Sequence, residues 1–315
     1  MAGALQTIGT PAAGAEALSS EVLFGVTQEM QRIRRTTERI ALVRIPVLIC
    51  GESGTGKEAL AKYIHRISTW NEKPLVKVIC AAIPGTLLES ELFGYEKGSF
   101  TGAYVSRMGK FELAGDGTVI LDEIAAIGPG LQEKLLQVLQ DGQFCRIGDL
   151  EERRADARII CITSRDLATE RERGAFREDL YYRINVVNLS LPPLRQRLDD
   201  LPTLVDHFMK LYTQQFGNHV APLPTAVMDR FREHRWPGNI RELENYMKRY
   251  VILNSPEKIL SELDERRREP VVTGLEFVPP EDFSLKRYSK KATQQAEKYL
   301  ILEALIIHFV AMPNY

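Results

Sequence analysis

The eight residues GESGTGKE, Gly51 to Glu58, stand between an apolar run, PVLIC, and a helix-period segment, ALAKYIHRIS, with Leu60, Tyr63, Ile64 and Ile67 on one face. Strand, glycine-rich loop, helix is the context that gives a G-x4-G-K sequence a physical purpose. The loop Gly51, Glu52, Ser53, Gly54, Thr55, Gly56 is free enough in its backbone for N–H groups to converge on phosphate oxygens. The helix that follows adds a field favourable to an anion. Lys57 is then placed to neutralise the β and γ phosphates of a bound nucleotide. The Ser or Thr that usually meets Mg2+ after the lysine is Glu58 here, so that hydroxyl is missing.

Further along, GTVILDEI reads as an apolar strand ending in two carboxylates, Asp122 and Glu123. The carboxyl end of a strand is the ligand edge of an open α/β sheet. There Asp122 would hold Mg2+, directly or through water, and Glu123 would polarise the attacking water. Alone, such a pair can be no more than a solvated strand end. Downstream of a phosphate loop it makes ATP hydrolysis the leading chemistry.

Across residues 21–190, short β-branched runs (PVLIC, LVKVI, GTVILDE, ARIICITS, INVVNLS) alternate with helix-period segments, the pattern of a parallel sheet covered on both faces. After LPPLRQR only helical patterns follow, so residues 191–260 read as a small all-α lid. The expected fold class is α/β: a P-loop NTPase with a parallel sheet flanked by helices, then that lid. Residues 1–20 read as a flexible tail, 261–283 as a linker, and 284–315 as one more helix. A net charge of -1 gives no overall pull on nucleic acid. Cys50, Cys80 and Cys161 sit in apolar runs and no C-x-x-C pair involves them or Cys145, so buried reduced thiols and a cytoplasmic location are expected. No membrane span is expected, since the most apolar run, YLILEALIIHFVAM, is short and carries Glu303. The five histidines show no metal-ligand spacing.

GESGTGKE, LLESELFGYEKGSFTGA, LDEI, FREDLYYRINV, LPPLRQR and WPGNIRELEN together resemble the central AAA+ domain of sigma-54-dependent transcriptional activators, the bacterial enhancer-binding proteins. The likeness runs from residue 21 to about 255. It implies an ATPase using ATP and Mg2+ that forms a homo-oligomeric ring, usually a hexamer, and remodels sigma-54 RNA polymerase at promoters. It implies that the loop Gly98, Ser99, Phe100, Thr101, Gly102, Ala103 grips the sigma-54 factor, Phe100 and Thr101 making the contact. Arg177 and Arg183 stand where the family has arginines that reach a neighbouring subunit's γ-phosphate, worth about 10³–10⁵ in rate when supplied in trans. On the residues alone, the alternative is that both only pair with Glu178 or Asp179 on the surface. Arg241, in a first helical turn where a cation is disfavoured, matches the family's sensor arginine. Asn239 and Glu242 read as that helix's N-cap and reciprocal acid, and Trp236 and Pro237 as its packing anchor. Thr163 and Ser164 end the sensor strand.

Three positions depart from the family pattern, the third by a small change. Ile79 stands where the family writes an Asn thought to hold the catalytic Glu inactive, and an isoleucine has no hydrogen bond to give Glu123. Ser164 stands where Asn is usual, with a hydroxyl of shorter reach. Ser99 replaces an Ala. Lys286, Arg287, Lys290 and Lys291 read as a solvated helix face, so sequence-specific DNA binding by this chain is not expected. Beside the activator stands an alternative from another class, a nucleotide-binding regulatory or assembly subunit with weak ATP turnover and no DNA binding of its own. A generic AAA+ remodeller of other substrates is a third.

Overall fold

The computed structural model describes residues 19–217 and 220–268. The expected tail up to residue 18, most of the expected linker, the last helix with its four basic residues, His219 and His308 lie outside the described residues.

Helix α1 (Ser20–Phe24) is capped by the Ser19 hydroxyl, and α2 (Gln28–Ile40) buries Met30, Ile33, Thr37 and Ile40 at helical spacing. Strand β1 (Val47–Cys50) runs into the glycine-rich loop and α3 (Lys57–Arg66) leaves it. Then come β2 (Leu75–Ile79) and α4 (Gly85–Phe93). A small antiparallel ribbon, β3 (Gly94–Tyr95) with β4 (Arg107–Met108), carries the GSFTGA loop, and α5 (Lys110–Ala114) leads on to β5 (Thr118–Asp122). Helix α6 (Pro129–Asp141) starts on a proline, where no N–H is missed. It precedes a hairpin of β6 (Gln143–Cys145) and β7 (Glu152–Arg154). Strand β8 (Arg158–Thr163), helices α7 (Leu167–Glu172) and α8 (Glu178–Ile184) and strand β9 (Val187–Ser190) complete the α/β part.

Five parallel strands form the main sheet in the order β2-β5-β8-β1-β9. Every residue of β8 is buried, because helices cover both faces. One layer packs Phe93, Phe111, Leu135 and Leu180 against Leu48 and Leu121. The other packs Met30, Leu60 and Ile64 against Ile49 and Ile120. In the register, Ile79 lies beside Asp122, Asp122 beside Ile162, and Cys50 beside Thr163. The ends of β1, β5 and β8 therefore deliver the loop, the paired carboxylates and Ser164 to one edge of the sheet.

The lid is α9 (Leu201–Phe216), α10 (Thr225–Glu233), α11 (Asn239–Leu253) and α12 (Pro256–Arg268), around a core that includes Phe208, Phe231, Trp236, Leu243 and Met247. Helix α12 corrects the expected boundary. Ile259 and Leu263, one helical turn apart, are both buried in the lid core, so the apolar stripe runs past residue 261 into what reads from sequence as a linker.

Cys80 and Cys161 are buried and Cys50 half-buried, as expected, whereas Cys145 is exposed on the hairpin. Burial pushes the Cys50 thiol up to about 11 and the Cys80 thiol up to about 12. Since the thiolate is the reactive form, N-ethylmaleimide at neutral pH should label Cys145 first and spare the other three until denaturant is added. Peptide mapping checks this, and equal labelling of Cys145 and Cys161 in the native protein would contradict the burial of β8.

Candidate functional site

Three glycines shape the loop between β1 and α3, with φ of 145° at Gly51, 79° at Gly54 and 101° at Gly56. Space demands glycine too: a Cβ on Gly51 would lie 2.7 Å from the Leu191 carbonyl oxygen, and one on Gly54 would lie 2.3 Å from that of Gly238. Every carbonyl from Gly51 to Gly56 accepts a hydrogen bond. Lys57 Nζ donates to Gly51 and Glu52 (2.7 and 2.9 Å), Thr55 Oγ1 to Glu52 (2.8 Å), and Asn239 Nδ2 to Ser53 (3.0 Å). The Ile240 N–H donates to Gly54 (2.9 Å), Arg197 Nη2 to Thr55 (2.7 Å), and the Leu60 N–H to Gly56 (3.0 Å). Tying the carbonyls back leaves N–H groups as the loop's remaining backbone polar face. Burial pulls the Lys57 ammonium below its ordinary value, and the nearby Glu123 and Asp122 carboxylates work against that.

Glu123 has left-handed backbone angles (φ 56°, ψ 54°), strain of a kind that gathers at functional sites. Its Oε2 accepts from the Ser164 N–H (3.1 Å) and the Ser164 hydroxyl (2.8 Å). Because β8 lies between β5 and β1, Ser164 holds this carboxylate on the phosphate-loop side. Ile79, on β2 at the opposite side of β5, is 43% exposed. Thr163 does not face the site as expected: it is fully buried, and its hydroxyl bonds the N–H and carbonyl of Arg165 (both 3.0 Å). Asp122 Oδ2 meets the ammonium of Lys77 at 3.1 Å, and Lys77 also bonds Glu58 Oε2 at 2.7 Å. Burial works to raise the Glu58 carboxyl, but Lys62 and Lys77 outweigh it and hold it below its ordinary value.

The lid closes on the loop from the other side. Asn239 is not the N-cap of α11. Gly238 is, and Glu242 Oε2 accepts the Gly238 N–H (3.0 Å). Asn239 is fully buried at φ 52° and bridges instead: Oδ1 accepts the Leu194 N–H (2.8 Å), while Nδ2 donates to the Ser53 carbonyl and to Glu52 Oε2 (3.2 Å). Arg241 Nη1 reaches the Ser53 hydroxyl of the loop at 3.0 Å. Arg195 grips Glu52 with two bonds (2.6 and 2.8 Å), which pull that carboxyl down to about 2. A cavity of about 290 Å3 opens between Ser53 and α11, lined by Gly238, Arg241 and Asn245. Trp236 anchors this corner, fully buried with Nε1 donating to the Phe231 carbonyl (2.8 Å), while Pro237 stays exposed. Sequence reasoning missed Lys77, Arg195 and Arg197. The only hints were a lysine inside an apolar strand and two arginines straight after the last strand.

Two expected groups lie elsewhere. Exposed Arg177 forks onto Asp179 (3.0 and 2.7 Å), and exposed Arg183 donates to the Leu139 carbonyl (2.9 and 2.6 Å), so neither engages the chain's own loop. In the GSFTGA turn, the Gly98 N–H donates to the Ala103 carbonyl (2.8 Å), with φ of 84° at Gly98 and 105° at Gly102. Phe100 is 42% exposed, its ring edge-on to Tyr95 at 5.0 Å. Ala103 is buried and closes the turn, which corrects its expected place in a contact surface. Tyr104 and Val105, missed from sequence, are exposed to 82% and 67%. Arg146, bonded to Glu96 and Glu112, braces the ribbon against the hairpin.

A family model described as the Sigma-54 interaction domain matches residues 23–190, and one described as the AAA+ ATPase lid domain matches residues 195–269. The Regulatory protein AtoC of Escherichia coli (strain K12) is 45% identical over 279 residues, spanning 88% of this chain and 60% of that protein. A Nif-specific regulatory protein of Azotobacter vinelandii is 47% identical over 233 residues, 74% of this chain and 44% of its own length. This chain therefore covers less than two thirds of either relative. The crystal structure of NtrX from Brucella abortus in complex with ATP superposes with a TM-score of 0.67 at 37% identity, covering 74% of this chain and 51% of that one.

If Asn239 ties lid to loop, Asn239→Ala leaves a buried N–H and a carbonyl unpaired and should cost about 2–4 kcal/mol, lowering Tm by roughly 4–16 °C. Asn239→Gly, which accepts the positive φ, should lose less. Arg195→Ala, at a half-exposed pair, should cost at most about 1 kcal/mol. Calorimetric melts check the order.

Proposed function

The chain belongs to the sigma-54 interaction family of AAA+ proteins, and on that premise we propose that it is a transcriptional activator that hydrolyses ATP to remodel sigma-54 RNA polymerase. One observation carries the proposal. The Gly51–Glu58 loop, Asp122, Glu123 and the lid's Arg241 meet at one sheet edge, while the GSFTGA turn stands on a ribbon of the same domain. Loop N–H groups and Lys57 bind the phosphates of ATP. Asp122 suits Mg2+, because it ends β5 at the sheet edge beside the phosphate loop, where a carboxylate oxygen would meet the ion that accompanies the phosphates. Bound there, the ion would neutralise phosphate charge.

Glu123 takes the proton of the attacking water, and Ser164 fixes the carboxylate that does so. Weak turnover belongs to the alternative reading, a regulatory or assembly subunit. The two Ser164 bonds to Glu123 favour turnover instead. Arg177 and Arg183, exposed on and just before α8, act on a neighbouring subunit's phosphates, which requires a homo-oligomeric ring, in this family a hexamer. Phe100 and Thr101, on the exposed turn, grip the sigma-54 factor, and nucleotide state moves that turn about its two glycines. The work belongs in the cytoplasm with the polymerase. Among the described residues no helix is long and apolar enough to cross a membrane.

Phosphate release by the purified protein, with and without sigma-54, tests the proposal. Lys57→Ala should lower kcat at least about 100-fold. Phe100→Ala should abolish retention of sigma-54 in the presence of ADP and aluminium fluoride while leaving basal hydrolysis in place. Hydrolysis that survives Lys57→Ala overturns the site, and retention that survives Phe100→Ala overturns the contact. Ser164→Ala, which removes one charge-assisted hydrogen bond, should lower kcat about tenfold with KM little changed, and Ser164→Thr should restore most of it.

A further inference from the structure

Lys77 has no part in the mechanism above, yet it sits in contact with the metal carboxylate. It lies mid-way along β2, an edge strand that otherwise reads Leu, Val, Val, Ile. In the register with β5, Lys77 lies beside Ile120 and Ile79 beside Asp122. Side chains of paired parallel strands share a face, and Ile120 packs with Leu60 and Ile64 of α3. Lys77 therefore rises on the α3 side. There its ammonium lies 2.7 Å from Glu58 Oε2 and 3.1 Å from Asp122 Oδ2, and the second oxygen of Glu58 takes Lys62 at 2.8 Å. The Lys77 and Asp122 side chains are only 26% and 19% exposed, so the charges act on one another with less screening than in bulk water.

The charge count gives this contact its meaning. A loop with Ser or Thr after the lysine offers a divalent ion one carboxylate, that of Asp122. This chain adds a second, Glu58, at the hydroxyl position. Lys62 and Lys77 both pair with Glu58 and bring the four side chains to neutrality, but of the two ammoniums Lys77 is the one that also touches Asp122 and so couples the added carboxylate to the metal carboxylate. We propose that Lys77 is a charge-balancing residue of the nucleotide site, offsetting the carboxylate that Glu58 brings to the hydroxyl position and thereby setting how tightly the site holds a divalent cation. This rests on Asp122 being the metal carboxylate of the proposed ATPase. Without the ammonium, two carboxylates face one another and draw the cation more strongly. With it, the ion leaves more readily with ADP after each turnover.

Mn2+ binding to the full chain at saturating ADP, read from the electron paramagnetic resonance signal of the free ion, tests this. Over Asp122, Glu58, Lys62 and Lys77, the parent, Lys77→Met, Glu58→Gln and the double variant carry net charges of zero, minus one, plus one and zero. Lys77→Met should tighten Mn2+ about fivefold or more, the effect of a unit charge removed from about 4 Å even in water-like screening. Glu58→Gln should weaken it, and the double variant should return to the parent value. An unchanged or weaker Mn2+ affinity in Lys77→Met overturns the inference. If Lys77→Met does not fold by circular dichroism, an unchanged affinity in Glu58→Gln overturns it instead. Fluorescent mant-ADP binding without divalent ion separates the two levels. A parent that binds no mant-ADP sinks the nucleotide site and this inference together, whereas normal mant-ADP binding with unchanged Mn2+ affinity sinks the inference alone.

Discussion

A triphosphate needs unpaired N–H groups pointing at it, and a flexible loop supplies them only if its carbonyls are held elsewhere. That requirement, for the proposed nucleotide, accounts for how this loop is built. Of the six carbonyls from Gly51 to Gly56, those of Gly51, Glu52 and Gly56 are tied within the loop and α3. Those of Ser53, Gly54 and Thr55 are tied by Asn239, Ile240 and Arg197, which come from the far end of the described chain. The loop is thus only half self-supporting. Its shape depends on where the lid sits, and a ligand that reshapes the loop must move the lid.

This division also explains what could be read from the sequence. The sheet, the loop and the paired carboxylates declare themselves through apolar runs and a glycine pattern, both local features of the chain. Asn239 looks from its neighbours like a helix cap, because Asn before a helix with Glu three residues later is the cap signature. Its partners, Glu52 and Ser53, are 187 and 186 positions away. No local pattern reports a bond over that distance. Arg195, Arg197 and Lys77 were missed for the same reason. The end of the lid was misplaced because α12 is mostly charged, and two buried residues, Ile259 and Leu263, make a faint stripe beside nine polar neighbours such as Glu257, Lys258 and Glu262.

Strand order resolves the departure at Ile79. Asp122 and Glu123 end β5, which has β2 on one flank and β8 on the other. A residue on β2 could draw Glu123 away from the phosphate loop, whereas one on β8 draws it towards the loop. Here the β2 position beside Asp122 is a hydrocarbon, Ile79, and the end of β8 offers Glu123 a hydroxyl and an N–H from Ser164. The two substitutions that look like separate losses in the sequence act on the same carboxylate. Together they bias it to one flank.

The fork between Arg177 and Asp179 has a thermodynamic consequence for a ring. A guanidinium already seated on a carboxylate gains little by trading it for a surface of no charge, and gains most from a densely charged anion. In the ring proposed above, with this guanidinium facing a neighbour's site, subunits would therefore cohere best when that site holds a triphosphate. By reciprocity, cohesion must strengthen retention of that triphosphate by the same factor. Under that proposal, fuel and assembly would be two readings of one equilibrium.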